Sequence, residues 1–484
     1  MMDGSRGSTS TSWMRPPITA GPTDRTCSAS KGDWATSGAL ESSARESEIS
    51  GRRTRESPGG GIDAMWLAYS GTDRRPPGPG AGPRHRALAS PVAEIATSVL
   101  ISAGMNPPAQ SGRNTHDRPI VAWVLVPTVE TTDATLDYYY DFSAGRAEFE
   151  RAFAALETDW RWEPVTTTTF RTVIDRIVAE SATQTPLVFN LCDGDEINAV
   201  PGISVIRYLN AVELRYTGSD EHFYQITTSK IDMKRAFERA GVPTPPWEAL
   251  AQGATLDGLF ERHGRPLIVK PAVSAGSMGI TIQSVVHTDD ALAEQLQLLH
   301  DGYHGWNLAD GGVFVERYIV GPEFTTFIVG SSDSPDSSTI YPPVERVFHA
   351  ALPPNEQFLS FDRLWEVHEK ESPMADGASL WEYQPAAAEL QQRISDISWA
   401  AYASVGGQGY GRVDLRMDAA TGDLYVLEVN AQCGLSEDEN YTSIGAILRF
   451  AERPFHGLLR EIMDCATSAP RSGVVADTSA KMPA

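Results

Sequence analysis

Apolar residues in the first well-patterned part of the chain fall into short continuous runs separated by stretches of helical spacing. The run Ile120–Pro127 has no charged interruption, which is typical of a buried strand in a parallel sheet. Residues 187–190 form a second such run, and helices are predicted at 146–156 and 202–210. Strands that alternate with helices predict a parallel α/β domain, which we place at residues 118–222.

A second, larger region with further helices and strands follows. A helix is predicted from about Thr228 to Ala240, because Gly241 and a proline cluster come directly after it. A helix at 288–299 is expected to have Thr288 as its N-cap, and another helix is predicted at 386–405. The predicted strands lie at 266–270, 279–285, 313–320, 324–329, 410–417 and 424–429, the last two forming a hairpin turned by Thr421 and Gly422.

The two ends of the chain have a different composition. Residues 1–115 are rich in Ser, Thr, Gly, Pro and Arg with little periodicity, and residues 466–484 are similar. Such segments bury too little apolar surface to offset the entropy of ordering them. We therefore predict a disordered or non-catalytic N-terminal arm and a disordered tail.

Composition narrows the classes of function. The net charge of −23 over 484 residues disfavours binding to nucleic acid or to an anionic membrane, since both need a basic surface. No apolar run approaches the roughly 18 residues that a membrane span requires. The four cysteines (Cys27, Cys192, Cys433 and Cys465) lack metal-type spacing, which favours free thiols in a reducing compartment and a cytoplasmic location.

The predicted C-terminal hairpin carries the clearest chemistry. Arg412 and Asp414 are two residues apart on one strand and share a face, as do Glu428 and Asn430 on the other. Two acids and an amide meeting there would form an oxygen-only site of the kind that Mg²⁺ uses when it also holds phosphate. The alternative interpretation is a surface ladder of salt bridges, against which the apolar neighbours Val413, Val426 and Val429 argue.

Two further segments suit a nucleotide. Lys270 ends a predicted strand and enters the small-residue loop 274–279, whose backbone N–H groups could face phosphate. Backbone groups of 316–319 could read an adenine, and Glu323 could accept hydrogen bonds from ribose hydroxyls. Taken alone, the first segment also fits an ordinary hairpin and the second an ordinary strand with a Gly-Pro turn.

The order of these motifs resembles the ATP-grasp superfamily, specifically its D-alanine–D-alanine ligase branch, over residues 121–463. The sequence Tyr-Thr-Gly-Ser at 216–219 precedes a helix with Lys230, then Gly-Val-Pro-Thr-Pro-Pro-Trp at 241–247, Ile-Val-Lys-Pro at 268–271, the 316–323 segment and the 411–434 hairpin. The resemblance implies a mixed α/β and α+β fold. In it an N-terminal parallel α/β domain precedes a central ATP-grasp subdomain (223–315) and a C-terminal one with the metal site (316–465).

The resemblance also implies roles for individual residues. Lys230 and Lys270 would contact phosphates, under a loop that includes Ser274, Gly276, Ser277 and Gly279. Glu316 and the 317–319 segment (Arg317, Tyr318, Ile319) would hold adenine, and Glu323 the ribose. Asp414, Glu428 and Asn430 would bind two Mg²⁺ ions, and Arg412 and the Gly434 N–H would face the acyl centre, with Lys270 and Ser277 completing the catalytic set.

Several positions depart from this pattern and bear on the substrate. The segment after Gly434 carries Glu437, Asp438 and Glu439, which would repel an acceptor carboxylate or, alternatively, form a solvated helix start. The expected loop over the site corresponds to 358–365 and offers Arg363 but no Lys. Glu130 could bind a substrate amine, and the segment 190–196 with Asp193, Asp195 and Glu196 is a candidate substrate wall.

The sequence therefore predicts an ATP-dependent carboxylate–amine ligase that forms an amide through an acyl phosphate and releases ADP and phosphate. Its expected partners are small amino acid or peptide substrates, with ATP and Mg²⁺ as cofactors and a homodimer left open. The alternatives are a D-alanine–D-alanine ligase of cell-wall synthesis and a non-catalytic ATP-binding protein.

Overall fold

The computed structural model describes residues 118–130, 142–303, 305–365 and 379–468. All of these belong to one compact unit. The predicted N-terminal arm at 1–115 and the tail from 469 onwards lie outside the described residues. Residues 466–468 belong to the last helix, so the predicted tail begins three residues too early.

The first domain is built on a parallel three-stranded sheet in the order β2–β1–β3, as the alternation of strands and helices predicted. The strand β2 was missed because its Asp-Trp-Arg-Trp-Glu-Pro-Val sequence interleaves charged and aromatic residues at a half-exposed sheet edge. The elements are β1 (Ile120–Pro127), α1 (Ser143–Ala155), β2 (Asp159–Val165), α2 (Phe170–Glu180), β3 (Thr185–Asn190) and α3 (Ile203–Ala211).

Two short helices, α4 (Glu221–Thr228) and α5 (Lys230–Ala240), connect this domain to the rest. Ser229 separates them with extended backbone, and its side chain accepts a hydrogen bond from the Asp232 N–H, so it caps α5. As predicted, α5 ends at Gly241, which adopts φ +70°. Because Ser229 is the N-cap, Lys230 is the first residue of α5.

The central sheet is antiparallel with the order β4–β7–β5–β6. The predicted strand at 279–285 is wrong, because Thr281 and Ser284 cap each other and form a 3₁₀ turn that leaves only a two-residue strand. Thr288 caps the following helix as predicted. The elements are β4 (Trp247–Leu250), α6 (Leu259–His263), β5 (Leu267–Pro271), β6 (Val285–Val286), α7 (Asp289–Asp301) and β7 (Val313–Arg317).

The C-terminal sheet has the order β11–β10–β8–β12–β13, with β9 paired to β8. Its predicted hairpin is present, and Val413, Val426 and Val429 are fully buried on the face away from the site. The elements are β8 (Glu323–Ser331), β9 (Thr339–Ile340), β10 (Val344–Phe348), α8 (Phe361–Trp365), β11 (Trp381–Pro385), α9 (Ala388–Ser404), β12 (Gln408–Met417), β13 (Leu424–Ala431), α10 (Ser443–Phe450) and α11 (Phe455–Ser468).

The mixed helix and sheet architecture agrees with the α/β and α+β prediction. The predicted boundary between the two subdomains falls inside β7, which pairs along its length with β5 and β4 and is wholly part of the central sheet. Among the described helices, none is long and apolar enough to cross a membrane.

Candidate active site

A cavity of about 260 Å³ is lined by residues of the central sheet, the C-terminal sheet and the loop after β3. The central sheet contributes Lys270 and Glu316, and the C-terminal sheet contributes Asp414 and Glu428. The structure thus brings together in one cavity groups that are far apart in the sequence. Lys270 and Glu428, for example, are 158 positions apart.

The hairpin β12–β13 places its polar groups opposite each other. Asp414 pairs in register with Glu428, and Arg412 with Asn430. The Asn430 amide donates to Asp414 Oδ2 at 2.9 Å and to Glu428 Oε1 at 3.3 Å, while Arg412 Nη2 lies 2.9 Å from Asp414 Oδ2. These four side chains therefore form one connected group.

Glu428 is charged in this setting. Burial alone would raise its pKa, but Lys230, Arg412 and Lys270 hold the pKa well below the usual carboxyl range. Mg²⁺ in proteins commonly takes one or two carboxylates and completes its shell with waters and phosphate oxygens. Two carboxyl groups and an amide lining one cavity fit that requirement.

Lys230 connects this hairpin to the small-residue loop. Its Nζ donates to the Ser274 carbonyl at 2.8 Å and lies 3.4 Å from Glu428 Oε2. In that loop Ser277 has φ +60°, a left-handed conformation that costs a non-glycine residue about 1 kcal/mol or more. Its hydroxyl donates to the Leu359 carbonyl at 3.0 Å, so the loop is tied to the segment before α8.

Lys234, which was not predicted from the sequence, is buried next to the cavity residue Glu316. The Glu316 carboxylate forms ion pairs with both lysines, at 2.5 Å from Lys234 Nζ and 2.6 Å from Lys270 Nζ. The side chains of Lys234 and Glu316 are only 1% and 2% exposed, and Lys234 also donates to Thr244 Oγ1 at 2.9 Å. The two ammonium groups outweigh burial and lower the pKa of Glu316. The Glu316 carboxylate, expected at adenine, is thus already engaged by two lysines.

A row of three charged residues crosses the C-terminal sheet at the other end of the cavity. Glu323 on β8 lies in register with Arg346 on β10 and with Arg416 on β12. Arg346 forms an ion pair with Glu323, and Arg416 Nε lies 3.9 Å from its other carboxylate oxygen. Glu323 was predicted from the sequence, but neither arginine was.

The other residues that were predicted to bind the nucleotide line the same cavity or lie next to it. Arg317 is paired with Asp418 at 3.2 Å, and the ring of Tyr318 lies under the Arg416 guanidinium. Tyr318 and Ile319 are buried cavity residues, and Ser274, Gly276 and Ser277 also line the cavity. Gly279 lies just beyond, with φ +78°, where an added Cβ would come within 2.7 Å of Leu308.

Most of the substrate candidates lie elsewhere. Arg363 is buried and donates to the Glu356 carbonyl at 2.6 Å and to its carboxylate at 2.9 Å. Glu130 accepts hydrogen bonds from Thr166 and Thr168. Neither of these two charged residues is part of the cavity lining, whereas Asp193 is.

The acidic run after Gly434 does not face the cavity either. Glu437 lies 2.5 Å from Arg151 of α1, Asp438 accepts from the N–H groups of Asn440 and Tyr441, and Glu439 is exposed. Its alternative interpretation, a solvated turn before a helix, describes this arrangement. The adjacent Cys433 lines the cavity, so the chain leaves the site at Gly434.

A buried carboxylate holds that exit segment against the first domain. Glu148 on α1 accepts from Ser436 Oγ at 3.0 Å and from the Glu437 N–H at 3.2 Å. Burial, with a smaller effect of Glu437 and Asp438, raises the pKa of Glu148 to about 7. The folded protein therefore favours the protonated form of Glu148.

This predicts a pH-dependent effect of Glu148→Gln on stability. Because the folded pKa is raised, the contribution of Glu148 is most favourable below about pH 4.5 and is lost as the pH rises to about 7. The free energy of unfolding of the variant minus that of the unmodified protein should increase by about 3 kcal/mol across this range. Urea titrations at several pH values measure it, and a difference that stays constant with pH would contradict the buried-carboxyl account.

Comparisons with known proteins agree with this architecture. The family model "D-ala D-ala ligase C-terminus" matches residues 236–446. The chain is 29% identical over 229 residues to a D-alanine–D-alanine ligase of Polynucleobacter asymbioticus, covering 47% of this chain and 60% of that protein. It is 27% identical over 260 residues to the corresponding ligase of Xanthomonas axonopodis pv. citri, covering 53% and 71%.

The fold is also that of a solved ligase. A crystal structure of D-alanine–D-alanine ligase from Bacillus anthracis complexed with ATP superimposes with a TM-score of 0.50 at 20% identity, covering 72% of this chain and 97% of that one. Together, these matches show that the chain has the fold of this ligase and that its residues 236–446 resemble the C-terminal part of such ligases. The chain is similar to the D-alanine–D-alanine ligases, and it spans three fifths of the length of the first relative named above.

Proposed function

We propose that this protein is an ATP-dependent carboxylate–amine ligase that joins amino acids or peptides through an acyl phosphate. The observation that carries the proposal is the pairing of phosphate-type cations with an oxygen-donor hairpin across one cavity. Lys230 lies 3.4 Å from Glu428, and Lys270 lines the same cavity. Positive groups at this spacing complement the phosphates of a nucleotide whose metal is held by acids.

The reaction follows from the charges. Lys230 and Lys270 bind the ATP phosphates, and a substrate carboxylate attacks the γ-phosphorus to form an acyl phosphate and ADP. When bound, Mg²⁺ (proposed as two ions on Asp414, Glu428 and Asn430) neutralises phosphate charge. Arg412 then stabilises the oxyanion that forms when an amine attacks the acyl carbon.

The strained loop at 274–279 has a role in this scheme. Acyl phosphates are destroyed by water, so the site must exclude it during the reaction. Ser277 is held in a left-handed conformation and hydrogen-bonded to the Leu359 carbonyl, which ties the cavity-lining loop to the segment before α8. We assign the Ser274–Gly279 loop as the cover of the phosphate end.

D-alanine is a candidate for both substrates, which would make the protein a D-alanine–D-alanine ligase. The acidic run at 437–439 was the argument against this acceptor, and its members contact Arg151 and local backbone groups outside the cavity lining. That repulsion therefore does not act on an acceptor in the cavity. The similarity to D-alanine–D-alanine ligases then favours this substrate as the first to be tested.

The test is ADP release from ATP and Mg²⁺ with a panel of amino acids, singly and in pairs, combined with mass detection of products. D-alanine alone should give ADP and a dipeptide if the narrower proposal holds, and another pair should do so if only the broader one holds. Binding of ATP without turnover on any pair would favour a non-catalytic ATP-binding protein instead.

Arg412→Met tests the role of the hairpin arginine in this assay. Loss of one donor to a developing oxyanion lowers kcat by about 10²–10³-fold, and the variant should fall in that range. Arg393→Met, an exposed arginine on α9, is the matched control and should leave kcat unchanged. Equal rates for the two variants would remove Arg412 from the mechanism.

A further inference from the structure

Asp193 is a cavity carboxylate with no assigned task in the reaction above. It lies on the loop after β3 and lines the cavity together with Asp195. Its Oδ2 is buried and accepts no hydrogen bond from any residue that the structure describes. Buried polar atoms without partners are rare in folded proteins and call for an explanation, such as a catalytic role.

The loop that carries Asp193 is held next to the acyl end of the cavity. The Gln432 amide donates to the Asn190 carbonyl at 2.7 Å and accepts from the Ser219 N–H at 2.7 Å. Gln432 itself lines the cavity, two residues before Gly434, whose backbone N–H the family resemblance assigns to the acyl centre. Asp193 therefore approaches this end of the cavity from the N-terminal domain.

The surroundings of Asp193 are acidic or neutral. Its titratable neighbours are Cys192, Asp195, Tyr224, Tyr410 and Cys433. Burial, and then the charge of Asp195, raise the pKa of Asp193 to about 7, although its own backbone N–H opposes them. It has no ion-pair partner within the described ranges, whereas Lys230 and Arg412, which line the same cavity, are paired with Glu428 and Asp414.

Amide formation needs a group of this kind. An amino acid brings its nitrogen as an ammonium ion, which has no lone pair and cannot attack a carbonyl carbon. A carboxylate that titrates near neutral pH can hold the ammonium ion and then remove a proton from it. The arginine and lysines of the site cannot do so, because they are cations engaged with acids.

We propose that Asp193 binds the ammonium group of the incoming amine and accepts its first proton. This rests on the ligase function proposed above and adds a catalytic residue to it. The freed amine attacks the acyl carbon, the C–N bond forms, and the bond from carbon to the phosphate oxygen breaks. The second nitrogen proton leaves with the phosphate as hydrogen phosphate, and Asp193 releases the first to solvent, so that one proton is liberated per amide.

Hydroxylamine separates this step from those before it. At neutral pH it is largely uncharged and attacks acyl phosphates without prior deprotonation, giving a hydroxamate. Asp193→Asn should therefore lower amide formation by about 10²-fold or more, while the rate of hydroxamate formation stays within about threefold of the unmodified protein. The donor is the amino acid that the panel selects, beginning with D-alanine, and both products are measured in the same reactions.

Controls distinguish the possible failures. Asp159→Asn, an exposed acid on β2, should change neither product, and Asp193→Glu should restore part of the amide formation. Undiminished amide formation in Asp193→Asn, or an equal loss of amide and hydroxamate with an unchanged thermal unfolding midpoint, would overturn the role of Asp193. Failure of the unmodified protein to form any hydroxamate would instead overturn the acyl-phosphate function itself.

Discussion

Glu316→Leu should destabilise this protein by about 3–5 kcal/mol, the largest effect that we expect from a single substitution. The change leaves the ammonium group of Lys234 inside the protein without its carboxylate, and Lys234 is 1% exposed. An unpaired buried charge is far more costly than the ion pair that it replaces. Chemical unfolding followed by circular dichroism measures the loss.

The double variant Lys234→Met/Glu316→Leu makes the cause specific. If the cost comes from the stranded ammonium, removing Lys234 as well should recover a large part of the stability, and the two effects should not add. Glu294→Gln, an exposed acid on α7, serves as the control and should stay within about 0.5 kcal/mol of the unmodified protein. If the double variant loses as much stability as the two single variants added together, the unpaired ammonium group of Lys234 is not the cause.

Asp414→Asn should lower ATP turnover by about 10³-fold, with the expected loss appearing in kcat. Asp414 accepts from Arg412, Asn430 and Thr325, so its carboxylate organises the hairpin face in addition to its proposed role as a Mg²⁺ ligand. Asparagine retains the shape of the side chain and removes its charge. The measurement is ADP release at saturating donor over a series of Mg²⁺ concentrations.

Nucleotide binding gives a second readout for this variant that does not depend on turnover. A nucleotide at 100 times its Kd stabilises the folded state by about 2.7 kcal/mol, which is visible as a rise in the unfolding midpoint. The Mg²⁺-dependent part of that rise should be lost in Asp414→Asn and kept in Asp423→Asn, an exposed acid near the turn of the same hairpin. Retention of the full Mg²⁺-dependent rise in Asp414→Asn would exclude Asp414 as a ligand.

The hairpin could be predicted from the sequence because its information is local. Alternation along a strand places Arg412 and Asp414 on one face and Val413 on the other, whatever the strand packs against. The turn alone would pair Asp414 with Leu427, and a register shift between Asp414 and Leu415, which the sequence did not reveal, brings Asp414 opposite Glu428. The caps at Thr288 and Gly241 were predictable because their signals are local as well.

The residues that were missed depend on partners far away in the sequence. Lys234 meets Glu316 across 82 positions, although one local signal existed: it adjoins Met233 on a helix that buries Met233, Ala236 and Phe237. A lysine next to the apolar side of a helix is expected to pair with a buried acid, but the sequence of the helix does not identify that acid. Arg346 and Arg416 became part of the site only because β10 and β12 flank Glu323 on β8.

The sequence by itself determined the class of fold, the order of the motifs and the faces of the strands, because periodicity and turn chemistry act over a few residues. Only the tertiary structure decided which charges are neutralised. In the folded protein Glu316 pairs with two lysines, Arg363 with Glu356 and Glu437 with Arg151. Asp193, in contrast, lines the cavity. The physical reason is that the state of a charge depends on burial and on neighbours brought together across the chain, neither of which exists until the sheets have packed.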